Sequence, residues 1–127
     1  MAIACGVDII EVSRIKKSLD NNGDAFREKV FTQKEIDYCE SKRIARYHSY
    51  AARFAAKEAV VKALGTGISK GVYWKDIEVL NGENGCPYIV LHGKAQKIFE
   101  AAGGKNISLS LSHSNQHAIA FAVMEKQ

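Results

Sequence analysis

The chain has 127 residues, 46% hydrophobic and 25% charged, a size and composition that suit one globular domain with its own core and exclude disordered and fibrous classes. Its 18 basic and 14 acidic residues leave a formal net charge of +4, which suits an anionic partner, whether nucleic acid, a phosphorylated cofactor or an acidic protein, and equally suits solubility alone. The opening MAIACGVDIIEV lacks a basic stretch before its apolar residues and is interrupted by Asp8, which argues against a signal peptide or membrane span and for a cytoplasmic protein.

Residues 2–10 are mostly apolar and rich in Ile and Val, which predicts a buried strand with Asp8 as its one charge. Helical spacing follows from Glu11 to Leu19, with Val12, Ile15 and Leu19 on one stripe, and Asp20-Asn21-Asn22-Gly23-Asp24 is a turn cluster that ends it. Thr32 and Glu35 stand in the capping-box arrangement before a short helix. An Ala-rich stretch from about Ile44 to Leu64 predicts the longest helix, stopped by Gly65 in a left-handed cap. Beyond it, Asp76–Leu80 and Tyr88–Leu91 read as a hairpin, Lys94–Ala102 as a helix, and 107–113 and 118–123 as a second hairpin joined through Ser114 to His117. The expected fold is a single α+β domain spanning 1–127, a mainly antiparallel sheet packed on the Ala-rich helix. Cys5, Cys39 and Cys86 are odd in number and far apart, and they read as reduced thiols.

On a helical wheel, Ala52, Ala56, Ala59 and Ala63 form a stripe of small residues suited to close packing, and Arg53, Lys57, Glu58 and Lys62 occupy the other half. That half reads either as a solvated face with a Glu58–Lys62 pair or, because Phe54 and Val61 share it, as part of a site. The Gly65-Thr66-Gly67 loop could bring backbone N–H groups to phosphate oxygens. Asp8 needs a partner inside an apolar strand, either a cation such as Arg14 or a hard metal ion shared with Glu58. His113 lies at a strand end beside Ser112 and Ser114, where a phosphate could bind.

Taken together, GVDIIEVSRI (6–15), FTQKEIDYC (31–39), RFAAKEAVVKALGTG (53–67), NGCPYIVLHG (84–93) and SLSLSHSNQHAIAFAV (108–123) resemble the small bacterial holo-acyl-carrier-protein synthases over nearly the whole chain. The G-x-D motif at Gly6 and Asp8 and the F-x-x-K-E-A-x-x-K motif from Phe54 to Lys62 carry the resemblance. It implies a phosphopantetheinyl transferase fold and transfer of the phosphopantetheine arm of coenzyme A to a serine of acyl carrier protein in fatty acid biosynthesis. It further implies that Asp8 and Glu58 ligate Mg²⁺, that Lys62 neutralises the pyrophosphate, and that Arg53, His113 and Ser114 hold the adenosine and its phosphates. The Gly65-Thr66-Gly67 loop would lie against the cofactor, and the assembly would be a homotrimer with sites at subunit boundaries. The base stays open between Glu58 and a metal-bound water. Carrier proteins of this kind are acidic, so Arg14 and Lys17, with Arg27 outlying, are the expected docking residues. Two competing readings are an inactive trimeric scaffold and a nucleic-acid-binding module built on Lys42, Arg43 and Arg46 with Tyr47 and Tyr50; the second leaves Asp8 and Glu58 unexplained.

Overall fold

In the computed structural model, which describes residues 1–127, the order is β1 (Ala2–Glu11), α1 (Val12–Val30), α2 (Gln33–Ser41), α3 (Arg46–Leu64), β2 (Ile77–Asn81), β3 (Pro87–Leu91), α4 (Gly93–Ala101), β4 (Gly104–His113) and β5 (His117–Lys126). The strands form two antiparallel sheets: three strands in the order β1-β5-β4, and the β2-β3 hairpin. Helix α3 packs against β1 and β5 and also touches α1, α2, β2 and β4.

Small residues set how closely α3 approaches the sheet. Ala118, Ala120 and Ala122 of β5 are fully buried, as are Ala55, Ala56 and Ala59 of α3. At Gly6 a β-carbon would fall 1.8 Å from the Ala59 carbonyl oxygen and 2.9 Å from the Ala63 nitrogen, so helix and strand meet backbone to backbone. Only glycine fits there.

The opposite face of this sheet is apolar and open to solvent in the single chain. Ile3, Val7 and Ile9 of β1 are 57%, 50% and 61% exposed, and Ile119 and Phe121 of β5 continue the patch. The strand expected to be buried is therefore covered on one face only, because β1 alternates sides residue by residue and α3 covers one of them.

Three further details differ from the sequence reading. The helix expected to stop at Leu19 kinks at Asn22 (φ −149°, ψ 43°) and runs on to Val30, so α1 matches α3 in length. The turn-forming residues are absorbed by one non-helical position, after which Phe26 packs edge-on to Phe31 at 5.9 Å between ring centroids. Next, the charged half of α3 is solvated only toward its end: Arg53 is 4% exposed and Lys57 fully buried, whereas Lys62 is exposed. Phe54 stacks on Trp74 at 4.7 Å and Val61 is enclosed, which accounts for apolar residues on that side. Finally, Tyr50 is fully buried against Phe31, so it offers no stacking platform to a nucleic acid.

Lys57 organises a buried polar network. Its ammonium bonds the Glu35 carboxylate at 2.8 Å, the Trp74 carbonyl at 3.1 Å and the Ile77 carbonyl. Glu35 also completes the expected capping box with Thr32 and accepts the Val79 N–H at 2.9 Å. Burial pulls the Lys57 ammonium below the ordinary lysine range, and the Glu35 charge opposes that shift. Burial likewise pushes the Cys39 thiol up to about 11, consistent with an inert core residue. No helix is long and apolar enough to cross a membrane.

Candidate active site

Gly6, Asp8 and Ile10 share the β1 face turned toward α3, because strand residues two apart point the same way. Gly6 lets the helix close on the strand, and Asp8 then lies where that helix presents Glu58 and Lys62. The Lys62 ammonium donates to the Asp8 carboxylate at 3.2 Å and to the Val7 carbonyl at 2.9 Å. The partner of Asp8 is thus Lys62 and not Arg14. Lys62 turns across to β1 instead of back along the helix to Glu58, and the Asp8 side chain stays 19% exposed beside it.

Glu58 sits one turn before Lys62 on α3. Partial burial, then the neighbouring Asp8 charge, raise its carboxyl above the ordinary range, and Lys62 offsets part of this. Two like-charged carboxylates from different segments, with solvent on one side, form an all-oxygen donor set. Such a set fits Mg²⁺, which takes one or two protein carboxylates and fills its remaining positions with water and substrate phosphate oxygens. No cluster of three or more His, Cys, Asp or Glu side chains exists that would suit a softer or fully enclosed metal.

At the end of α3, Gly65 adopts the left-handed cap at φ +83°. The N–H groups of Gly65, Thr66 and Gly67 all turn back to the Val61 carbonyl, at 3.0, 3.2 and 3.5 Å. The loop's N–H groups therefore satisfy the helix C-terminus, correcting the idea that they are aimed at a phosphate.

A cleft of about 530 Å³ opens elsewhere on α3, lined by Lys42, His48, Arg53, Asn81, Cys86 and His113 among others. Arg53 lies over the Tyr38 ring at 4.1 Å, bonds Ser49 at 3.3 Å and also bonds Asn81, while its Nε is buried without a partner. His113 joins Arg53 here. Ser114 stands in the adjacent turn, where its hydroxyl oxygen accepts the N–H groups of Gln116 and His117 at 3.3 and 3.2 Å. Volume and charge suit a phosphorylated small molecule. Asp8, Glu58 and Lys62 are not among the residues lining this cleft, so one chain carries the acidic cluster and the cationic cleft as separate features.

Arg14 and Lys17 are exposed on α1, opposite its buried Val12, Ile15 and Leu19. Arg27 is occupied otherwise, bonding Tyr50 at 3.2 Å and pairing with Glu40 at 3.3 Å, so it is less free to dock a partner. The sequence reading missed His48, Lys42 and Asn81 in the cleft. The signal that could have found them is the short spacing of Lys42, His48 and Arg53 along the chain.

Residues 4–122 match the family model of the 4'-phosphopantetheinyl transferase superfamily, and the chain belongs to that superfamily. Its relatives narrow the class. It is 52% identical to the holo-[acyl-carrier-protein] synthase of Ruminiclostridium cellulolyticum over 98% of this chain and 92% of that one. Among solved structures, the synthase of Neisseria meningitidis superposes with a TM-score of 0.87 at 32% identity, covering 97% of this chain and 98% of that one. The Bacillus anthracis synthase, solved in complex with CoA (3',5'-ADP), gives 0.81 at 37% identity, covering 99% and 100%.

Proposed function

We propose that this chain is a holo-acyl-carrier-protein synthase, transferring 4′-phosphopantetheine from coenzyme A to a serine of apo-acyl carrier protein and releasing adenosine 3′,5′-bisphosphate. The observation that carries the proposal is Lys62 held by Asp8 at 3.2 Å beside a Glu58 of raised pKa, in a chain whose relatives bear that name. Asp8 and Glu58 would hold Mg²⁺, which when bound supplies positive charge to the pyrophosphate oxygens.

The chain's own residues divide the remaining work. The serine oxygen attacks the β-phosphorus, the new O–P bond forms, and the bond to the bridging oxygen breaks as negative charge collects on the leaving bisphosphate. Lys62, fixed by Asp8 and the Val7 carbonyl, holds its ammonium ready for that charge without reorganising. The serine proton passes to Glu58 or to a water held at the site. Arg53 and His113 grip the phosphorylated adenosine end in the cationic cleft, with Ser114 in the adjacent turn, and the Gly65-Thr66-Gly67 loop ends α3 just beyond Lys62. Arg14 and Lys17 attract the acidic carrier along α1.

The assembly we propose is a homotrimer. Its support is the exposed apolar sheet face of Ile3, Val7, Ile9, Ile119 and Phe121, together with the separation of acidic cluster and cleft on one chain. Neighbouring subunits would bring one chain's cluster to another's cleft, and the enzyme would work in the cytoplasm.

Mass spectrometry of an apo-carrier incubated with coenzyme A and Mg²⁺ tests the reaction directly. The expected result is a gain of one phosphopantetheine on the serine; no gain, while a known synthase succeeds in parallel, refutes it. Asp8→Asn and Glu58→Gln are each expected to lose most activity with the assembly intact. A near-normal rate for both removes the metal assignment.

A further inference from the structure

We infer that His48 is a positioning residue for the cationic cleft, holding the β4–β5 turn, and with it His113, in place against α3. The turn's own bonds define its shape: the Ser114 hydroxyl oxygen accepts from Gln116 and His117, and the Ser114 N–H donates to the His117 carbonyl at 2.8 Å. They do not fix where the turn sits relative to the helices. Two neighbouring carbonyls do that.

Gln116 accepts the Val12 N–H at 2.8 Å, tying the turn to the start of α1. Asn115 pairs with His48 Nε2 at 3.0 Å, tying it to α3. A carbonyl only accepts, so Nε2 carries the hydrogen and His48 is the donor. His48 also meets His113 directly, with ring centroids 5.4 Å apart and planes inclined by 50°, within the usual range for paired aromatic rings. It therefore restrains His113 twice, through the turn that follows it and through its ring.

Both histidines line the cleft that contains Arg53 and Lys42. His48 also lines a second groove with Val12, Lys16 and His117, so it stands as the wall between the cleft and the first turn of α1. Without its N–H, the turn keeps its internal bonds and its link to α1 but loses its link to α3. His113 then leaves its place in the wall of the cleft that Arg53 also lines. The loss falls on binding of the phosphorylated nucleotide and not on the chemical step, because Asp8, Glu58 and Lys62 lie outside this cleft.

The identity of the cleft's occupant rests on the proposed transfer reaction. The test combines calorimetric titration with adenosine 3′,5′-bisphosphate and transfer kinetics for wild type, His48→Phe, His48→Gln, His113→Ala and the His48→Phe/His113→Ala double variant. His48→Phe keeps a ring and loses the donor; it is expected to weaken bisphosphate binding about fivefold, the scale of one hydrogen bond, and to raise KM for coenzyme A equally. Values of kcat and of KM for the carrier stay near wild type. Glutamine retains an N–H and restores most of the affinity. In the double variant the two losses fail to add, since His48 acts through His113. As a readout independent of activity, the Gln116 amide resonance, whose peptide carbonyl is that of Asn115, shifts in His48→Phe, while the Gln116 and His117 amides keep their protection from exchange.

His48→Phe binding within twofold of wild type, or losses that add in full, or glutamine as weak as phenylalanine, each overturns the inference while the transfer reaction stands. A wild-type protein that binds no bisphosphate and transfers nothing overturns both.

Discussion

Replacing Gly6 by alanine tests the contact on which the whole site depends. The new β-carbon would stand 1.8 Å from the Ala59 carbonyl oxygen and 2.9 Å from the Ala63 nitrogen, whereas such contacts essentially never fall below 3.0 Å. Every obstructing atom belongs to the backbone of α3, so no side chain can rotate away, and relief requires the helix to lift from the sheet by more than an ångström. That opens the seam between Ala59 of α3 and the buried alanines of β5, which have no longer side chains to fill the gap. Overpacking a rigid core costs about 1–3 kcal/mol, and a backbone clash places this variant at the upper end. For a chain of this size about 3 kcal/mol lowers the melting temperature by roughly 10 °C. The lifted helix also carries Glu58 and Lys62 away from Asp8, so turnover measured well below the melting point falls as well. Circular dichroism melts at one fixed protein concentration, paired with the carrier mass assay, read both effects. A variant that melts within about 2 °C of wild type and transfers at the wild-type rate would refute the backbone-to-backbone seam.

Lys57→Met leaves the Glu35 carboxylate buried without its counter-charge and should cost about 3–5 kcal/mol in urea denaturation, partly recovered by adding Glu35→Gln; a loss below about 1 kcal/mol contradicts the network described. Glu58→Gln should lose most of its transfer activity yet raise the melting temperature at neutral pH in the presence of a chelator. The folded carboxyl titrates above its unfolded value, so the ionised form costs stability at neutral pH. The gain from glutamine should shrink as pH falls through that raised value and vanish below the ordinary carboxylate range; melts that show no gain at neutral pH count against the raised carboxyl. Phe121→Glu places a charge in the open apolar sheet face and should yield monomers by light scattering with reduced transfer, and an unchanged assembly mass rules that face out as the subunit contact.

Much of the architecture was legible because local signals agreed with the fold. Thr32 and Glu35 announce a helix start, Gly65 a stop, and the alternation of ISLSLSH and AIAFAV a hairpin, each readable within a few residues. Asp8 also announced itself, as a charge that an apolar strand could not hold unpartnered. What stayed hidden depends on distance through space. The cluster Asp20–Asp24 looks like a terminus, yet Phe26 and Val30 find apolar partners beyond it, and their burial outweighs one kinked residue. A wheel placed Lys57 correctly in direction but said nothing of depth, and α2 and β2, which cover it, come from elsewhere in the chain. Lys62 could equally have paired along its helix with Glu58; only the close approach allowed by Gly6 brings Asp8 within its reach. Arg27 looked free because Glu40 and Tyr50 are distant in sequence.

The Lys57 ammonium gathers Glu35, Trp74 and Ile77, partners 22, 17 and 20 residues away along the chain. A cation cannot leave water until its partners stand ready, so this junction closes only after α2 and β2 have docked on α3. Contacts that form after the folding barrier act through a slower escape from the native state instead of a faster approach to it. Removing the lysine that anchors the helix beside Glu58 is therefore expected to speed unfolding more than it slows refolding.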